Sequence, residues 1–389
     1  MKLVPLAGRS EDAVRDALLS HGWEGGLCRT TAAGLESLTY HVTEAESATL
    51  QALVRAGARL GLDIVTGADW ALLTGPRARL SALARPGVVP ESLAELAAVL
   101  GHALPGDDPV IWRTPAGALE LDRPVLMGIL NPTPDSFSDG GRHTTVEAAL
   151  TRAAELLAAG AAILDVGGES TRPGAAPVAA REERTRVVPV IGALARSFPR
   201  AVLSVDTTKP EVARAALDAG AQIINDVSAL RLDPAMAALA AERGAGLVLM
   251  HSRGAAGTLA SDQHARYPEG VIPAVLAELA EALERAGRAG VLAEHIVVDP
   301  GLGFGKTPEQ SVELLRGLGL LRRLGRPVLI GPSRKRFLGT LTGRPVEERD
   351  VATAAACALG WEAGARIFRI HEPGPVRDAL AVAHAVRPR

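Results

Sequence analysis

The sequence predicts a (β/α)₈ barrel, the TIM-barrel fold, preceded by a small N-terminal domain of α/β or α+β type. From about residue 122, short apolar runs alternate with longer amphipathic stretches of helical period. Eight such runs occupy residues 122–389, which matches a closed barrel in strand count and in size. Polar motifs directly follow the runs, as expected where strands end at an active-site face. A doubly wound open sheet is the alternative, but it normally has fewer strands, and no GxGxxG motif follows any run.

The eight apolar runs have the short length and the bounding turn residues of buried parallel strands. They predict strands at residues 124–130, 162–166, 201–205, 222–224, 246–250, 295–298, 327–330 and 365–370. Between them, apolar residues recur with the period of an amphipathic helix. These stretches predict helices at residues 145–159, 211–219, 274–288, 308–321 and 351–363.

Residues 1–105 have a different pattern and predict a separate small domain, to which we assign no chemistry. Helices are predicted at residues 11–19, 45–60 and 91–100, and short strands at residues 63–66 and 70–74. A Pro-Gly-Asp-Asp-Pro sequence starts at Pro105. It is typical of a connection between domains, so residues 106–121 are predicted to be a linker to the barrel at residues 122–389.

The composition restricts the possible partners and the compartment. A net charge of −2 over 389 residues provides no basic field that would attract nucleic acid or an anionic membrane. No apolar stretch has the length of a signal-peptide core or of a membrane span. The two cysteines, Cys28 and Cys357, are far apart and form neither a disulfide framework nor a metal-binding pair. We therefore expect a cytoplasmic protein that binds neither nucleic acid nor a membrane.

Polar residues or motifs begin at the end of every predicted strand. The first residues of these motifs are Asn131, Asp165, Asp206, Asn225, Met250, Asp299, Ser333 and Arg369. In a TIM barrel the carboxyl ends of all strands meet at one face, where the active site lies. The pattern therefore predicts an enzyme with one polar pocket at that face.

Carboxylates and amides dominate the predicted pocket. Asp165, Asp206 and Asp299 follow three different strands, and the chain's only two asparagines, Asn131 and Asn225, follow two others. Such a set suits a ligand with several N–H donors and ring acceptors. The alternative for each asparagine is a turn-capping role.

A metal-hydrolase site is a weaker interpretation of the same carboxylates. The histidines that follow strands are His251 and His371, and neither belongs to an HxH or HExxH motif.

Cations and hydroxyls at the same face indicate an anion site. They occur in Ser170-Thr171-Arg172, in Ser333-Arg334-Lys335 and in Arg369-Ile-His371. Together they favour a phosphorylated substrate, although each segment alone is typical of a solvated loop. The aromatic residues Phe304 and Phe337 also fall in these loops, either to stack on a flat ring or to pack the loops.

Lysine is rare in this Arg-rich chain. Beyond Lys2, the lysines are Lys209, Lys306 and Lys335, and all three lie in predicted loops that follow strands. Because a lysine retained among arginines often has a role that a guanidinium cannot fulfil, this placement is modest evidence for function.

Residues 122–389 resemble the dihydropteroate synthase family, a family of pterin-binding TIM-barrel enzymes. The resemblance rests on five motifs in the family's order. They are Met-Gly-Ile-Leu-Asn-Pro-Thr-Pro-Asp-Ser-Phe-Ser-Asp-Gly-Gly from Met127, Asp-Val-Gly-Gly-Glu-Ser-Thr-Arg-Pro-Gly from Asp165, Ser-Val-Asp-Thr-Thr-Lys-Pro from Ser204, Asp-Pro-Gly-Leu-Gly-Phe-Gly-Lys from Asp299 and Ser-Arg-Lys from Ser333.

The resemblance implies a transferase of folate biosynthesis, and it implies a role for each residue that stands at a functional position of the family's motifs. The family condenses 6-hydroxymethyl-7,8-dihydropterin diphosphate with 4-aminobenzoate to give 7,8-dihydropteroate and pyrophosphate. The resemblance implies that four side chains hold the pterin ring: Asp206, Asn225, Asp299 and Lys335. It also implies that Met250 and Arg369 pack against the faces of the ring.

The resemblance also implies the sites of the other groups. The diphosphate is expected at Thr171, Arg369 and His371, with Mg²⁺ at Asn131. The aminobenzoate ring is expected between Pro173 and Phe304, and Arg172 and Ser333 belong to the same substrate-binding set. Family members are usually homodimers, so a homodimer is expected here.

Three positions depart from the family's usual sequence. Pro132 stands where Val is usual, and Leu302 where Phe is common. Arg336 stands where some members have a Ser that binds the aminobenzoate carboxylate.

Two alternatives to a dihydropteroate synthase are a methyltetrahydrofolate–corrinoid methyltransferase-like protein and a non-catalytic pterin-binding protein. The former does not need the cations arranged for pyrophosphate, and the latter is disfavoured because Asn131, Arg172 and Lys335 are all present.

Overall fold

The chain divides into two compact units, residues 1–106 and 107–389. The computed structural model describes residues 2–5, 37–43, 45–84, 88–103, 111–131, 142–169, 178–255 and 257–386. The predicted helix at residues 11–19 lies outside the described residues, as does Pro132. None of the described helices combines the length and apolar character that a membrane crossing requires.

The N-terminal unit is an α+β domain. Its antiparallel sheet has the order β1-β2-β4-β3, formed by β1 (Lys2–Pro5), β2 (Ser37–Thr43), β3 (Asp63–Thr66) and β4 (Ala71–Pro76). Its helices are Ser47–Leu60, Arg77–Leu83 and Ala94–Ala103. Buried leucines from the first helix and from β4, such as Leu53 and Leu73, form one apolar core.

The predicted linker at residues 106–121 instead contains a β-hairpin of β5 (Ile111–Thr114) and β6 (Gly117–Glu120). Trp112 from this hairpin is fully buried with residues of the barrel interior. Its indole N–H donates to the His295 carbonyl over 2.8 Å. Since burial of a tryptophan removes a large apolar surface from water, this segment folds as part of the barrel unit.

The barrel has the eight parallel strands that the sequence predicts, each within two residues of its expected bounds. They are β7 (Val125–Leu130), β8 (Ile163–Gly167), β9 (Val202–Asp206), β10 (Ile223–Asp226), β11 (Gly246–Met250), β12 (Ile296–Asp299), β13 (Val328–Ile330) and β14 (Ala365–Ile370). Each strand pairs with its neighbour in sequence, and β14 pairs with β7 to close the barrel. The predicted fold class is therefore confirmed.

Helices surround the barrel. They are Arg142–Ala158, Ala180–Ser197, Pro210–Asp218, Ala235–Arg243, Val271–Arg288, Pro308–Arg316, Arg336–Thr342, Asp350–Glu362 and Pro373–Val386. The helix predicted at residues 308–321 ends at Arg316, and a 3₁₀ segment, Leu318–Leu324, follows it. Gly317 and Gly319 explain the break, because glycine destabilises the interior of an α-helix.

Candidate active site

The site is formed by side chains that point into the barrel, which are every second residue along each strand. An apolar layer inside the barrel includes Ile163, Ile223, Val297 and Ile367. On each of these strands, the residue two positions further along points to the same face. These four residues are polar: Asp165, Asn225, Asp299 and Arg369, respectively. A polar layer therefore lies directly above the apolar one, at the carboxyl ends of the strands.

Arg369 connects two carboxylates of this polar layer. Its Nε donates to Asp165 Oδ2 and its Nη2 donates to Asp206 Oδ2, each over 2.7 Å. Asn225 Nδ2 donates to the same Asp165 oxygen over 3.0 Å. Asn225 is the register partner of Asp206 on the neighbouring strand. The four side chains thus form one hydrogen-bonded group, in which Asp165 and Asn225 are buried.

Burial controls the ionisation of the carboxylates. It raises the pKa of Asp206 to about 7, although the Arg369 guanidinium acts in the opposite direction. It also raises the pKa of Asp299 to about 6, although the Gly301 N–H donates to Asp299 Oδ1 over 2.7 Å. Both carboxyls are therefore poised to exchange protons or hydrogen bonds with a bound ligand near neutral pH.

Lys335 faces the same carboxylates. Its Nζ lies 3.8 Å from the centroid of the Phe304 ring, in a cation–π contact. Burial, assisted by repulsion from Arg369, lowers the pKa of Lys335 to about 7. Met250 packs with Phe304 in a small apolar cluster beside this pair.

The shifted pKa of Lys335 predicts a pH dependence of stability. In the unfolded chain the ammonium persists to a pKa near 10.5, whereas in the folded chain it loses its proton near pH 7. Between these values the unfolded state binds more protons, so the free energy of unfolding rises with pH in that window. We expect the rise between pH 7 and 10.5 to be smaller in Lys335→Met. Chemical denaturation at a series of pH values checks this, and equal slopes for both proteins would contradict it.

Ser333 and His371 form a second pair at the same face. The Ser333 hydroxyl accepts from the His371 backbone N–H over 3.1 Å and lies 2.9 Å from His371 Nδ1. Between Ser333 and Lys335, Arg334 has a left-handed backbone with φ of 58° and makes a two-pronged ion pair with Asp350. Arg334 therefore anchors the loop, although its sequence motif indicated a place among the anion-binding cations.

A cavity of about 500 Å³ opens at this face. Six of the predicted site residues line it: Asn131, Asp206, Ser333, Lys335, Arg369 and His371. The predicted residues Asn225, Asp299, Met250 and Phe304 are buried among the side chains that support those six. Thr171, Arg172 and Pro173 lie outside the described residues.

Three residues of this region were noted in the sequence, but their contacts in the site were not predicted. Asp165 accepts from both Arg369 and Asn225, and its position after β8 was the available signal. Lys306 lines the cavity, and its signal was the rarity of lysine. Arg336 also lines the cavity, where its Nη2 donates to Asp262 Oδ2 over 2.8 Å, and no local pattern predicts that pair.

Comparisons with known proteins agree with the geometry. The family described as pterin binding enzyme matches residues 127–371. The dihydropteroate synthase of Streptococcus pyogenes serotype M1 is 47% identical over 260 residues, which cover 66% of this chain and 94% of the relative. That of Synechocystis sp. is 42% identical over 265 residues, which cover 68% of this chain and 90% of the relative.

Solved structures of dihydropteroate synthases are also similar to this chain. The dihydropteroate synthase of Xanthomonas albilineans, solved with 4-aminobenzoic acid, superposes with a TM-score of 0.64 at 46% identity and covers 70% of this chain and 96% of that one. The Yersinia pestis dihydropteroate synthase, solved as a sulfonamide drug complex, superposes with a TM-score of 0.66 at 39% identity. The match covers 71% of this chain and 99% of that one. The chain belongs to the pterin-binding enzymes and, among them, to the dihydropteroate synthase family.

Proposed function

We propose that this chain condenses 6-hydroxymethyl-7,8-dihydropterin diphosphate with 4-aminobenzoate, giving 7,8-dihydropteroate and pyrophosphate. The observation that carries the proposal is the group formed by Arg369 with Asp165 and Asp206 at a cavity that Lys335 and His371 also line. Carboxylates suit the N–H edge of a pterin, and the adjacent cations suit a diphosphate. The high identity to dihydropteroate synthases supports the same reaction.

The chemistry requires positioning and charge stabilisation more than a strong base. The methylene–oxygen bond to the diphosphate breaks, and the leaving group takes the electron pair. The aniline nitrogen forms the new carbon–nitrogen bond and then loses one proton. Arg369 and His371 stabilise the charge on the departing oxygens, while Asp206 and Asp299, with Asn225 beside them, hold the ring whose electrons stabilise the methylene cation.

Lys335, Met250 and Phe304 complete the proposed pterin and aminobenzoate sites. The Lys335 ammonium donates to a ring acceptor, and Met250 supports one face of the pterin. Phe304 is the predicted contact to the aminobenzoate ring, and in the described structure its ring lies against Lys335. Thr171, Arg172 and Pro173 remain predicted contacts to the diphosphate and the aminobenzoate, and Ser333 orients His371.

Asn131 is the proposed protein ligand of Mg²⁺. It is exposed at the end of β7, lines the cavity, and lies so close to Gly167 that a β-carbon there would come within 3.0 Å of Asn131 Oδ1. Among the described residues, no group of three or more His, Cys, Asp or Glu is arranged so that it could hold a metal ion. A single amide oxygen fits Mg²⁺, which keeps waters and binds substrate phosphates. When bound, the ion neutralises charge on the diphosphate.

The corrinoid-methyltransferase and non-catalytic alternatives are disfavoured. The relatives at 42–47% identity are dihydropteroate synthases. Arg369, Ser333 and His371, which suit a pyrophosphate, lie together in the described structure.

Incubation of the full chain with the pterin diphosphate, 4-aminobenzoate and Mg²⁺ should release pyrophosphate. Release is expected only when both organic substrates are present, because the second substrate supplies the nucleophile. A coupled pyrophosphate assay measures it, and reactions that lack one substrate are the controls. Release no faster than in the protein-free blank would refute the proposed reaction.

We also propose a homodimer in the cytoplasm. Exposed apolar side chains on the last two helices, among them Val351, Leu359 and Val382, support self-association. Light scattering coupled to gel filtration should give twice the 40.3 kDa mass of one chain. A mass of one chain at micromolar concentration would contradict the dimer.

A further inference from the structure

Lys306 is a buried lysine that the proposed mechanism does not use. Only 2% of its surface is exposed. Its Nζ donates to the Phe304 carbonyl over 2.8 Å and to the His251 carbonyl over 3.3 Å, and it lies 2.9 Å from His251 Nδ1. These three acceptors match the three N–H donors of an ammonium group. Lys306 thus connects the loop after β11 with the loop after β12.

His251 is suited to act as an acceptor in this connection. Burial lowers its pKa to about 4, so its imidazole is neutral. Burial lowers the pKa of Lys306 to about 7, and in its protonated form Lys306 only donates, so Nδ1 then accepts and the ring proton lies on Nε2. His251 Nε2 lies 3.0 Å from Glu278 Oε2. Glu278, on the helix Val271–Arg288, also accepts from Arg253 Nε over 3.1 Å. The close approach of His251 to Glu278 therefore places the partner of Lys306 beside this helix.

The loop that Lys306 holds requires an external constraint. Gly301, Gly303 and Gly305 all have left-handed backbones, with φ of 65°, 77° and 60°. Glycine adopts this conformation without steric cost, but it also gives the loop many alternatives. At Gly301 a β-carbon would lie 1.9 Å from the His251 carbonyl oxygen, so the two loops approach too closely for a side chain.

The same loop forms the surface on which Lys335 rests. The Phe304 ring lies under the Lys335 Nζ, and a β-carbon at Gly303 would meet Lys335 Cδ at 3.3 Å. Lys306 holds the Phe304 carbonyl and therefore fixes the backbone from which this ring projects. A shift of the loop would remove the ring from the ammonium.

We propose that Lys306 is a positioning residue, whose bonds to the loops after β11 and β12 hold the Phe304 ring against Lys335. This role deepens the proposed function, because it assigns Lys306 to the same site. It does not depend on the identity of the substrates, since it concerns contacts within the chain.

The rarity of lysine allows a direct test by NMR. With ¹³C-labelled lysine the full chain gives signals from four residues, Lys2, Lys209, Lys306 and Lys335. A proton near Lys335 Nζ lies over the face of Phe304, so the ring current shifts its signal upfield. In Lys306→Met one signal disappears and the Lys335 signal is expected to move downfield. The matched control Lys209→Met removes another loop lysine and is expected to leave the Lys335 signal in place.

Activity gives a second readout. Misplacement of a substrate-contacting group by about 1 Å costs about 10²-fold in rate, so kcat in Lys306→Met is expected to fall by one to two orders of magnitude, as a rough estimate. The far-UV circular dichroism of the variant should remain that of the native chain. If the native chain itself releases no pyrophosphate, the proposed function fails, but the NMR experiment still tests the positioning role.

A second variant covers the case in which Lys306→Met does not fold. Lys306→Gln keeps two amide donors on a shorter side chain, and an intermediate displacement of the Lys335 signal is expected. An unmoved Lys335 signal in either folded variant would overturn the proposal. Unfolding of both variants would also overturn it, because Lys306 would then be required by the whole barrel and not by the two loops alone.

Discussion

Replacement of Asp206 by alanine is expected to reduce kcat by about 10²–10³-fold while the barrel remains folded. The Asp206 carboxylate lines the cavity and accepts from Arg369 Nη2, so its loss removes a charged contact to the pterin. Arg369 keeps its second partner, Asp165, and no buried cation is left unpaired. Steady-state kinetics with the pyrophosphate assay measures the effect.

Asp218→Ala is the matched control for this experiment. Asp218 lies in the helix Pro210–Asp218, which follows the same strand, and it pairs with Arg243 at the surface. An exposed ion pair contributes little to stability, so the control should retain its activity. Near-normal turnover in Asp206→Ala, measured beside this control, would refute the role of Asp206 in holding the pterin.

Replacement of Arg369 by methionine is expected to abolish turnover and also to reduce stability. Asp165 is fully buried and would lose its cationic partner. Removal of one member of a buried ion pair costs about 3–5 kcal/mol, because the remaining charge is left without compensation. Urea denaturation followed by circular dichroism measures the change in the free energy of unfolding.

A double variant separates the two effects. Asp165→Asn combined with Arg369→Met removes the uncompensated charge, so it should recover much of the lost stability without recovering activity. Arg369→Lys should also remain inactive, because one ammonium cannot replace a guanidinium fork that donates to two carboxylates. Unchanged stability in Arg369→Met would show that the ion pairs of Arg369 do not hold this site together.

The barrel could be predicted from local patterns because each strand is an apolar run followed by turn residues. The same patterns located Asp206 and Asn225 at strand ends, and closure of the barrel explains why they become register partners. The hairpin with Trp112 was not predicted, since its four-residue strands gain their burial from the barrel interior and not from their own periodicity.

Contacts between distant loops explain the other differences between the predicted site and the observed one. Arg369 and Asp165 are 204 residues apart, and no local spacing indicates that they form an ion pair. The pairing of Arg334 with Asp350 likewise depends on the helix Asp350–Glu362, which is the second α-helix after the loop. Phe304 was expected either to stack on a ligand or to pack its loop, and the structure buries it beneath Lys335.

A crystal structure of the full chain with the pterin diphosphate and Mg²⁺ tests the central claim most directly. The pterin ring is expected within hydrogen-bonding distance of Asp206, with the diphosphate beside Arg369 and His371. A ligand bound outside the cavity, or a pterin ring turned away from Asp206, would contradict the assignment of this face of the barrel as the pterin site.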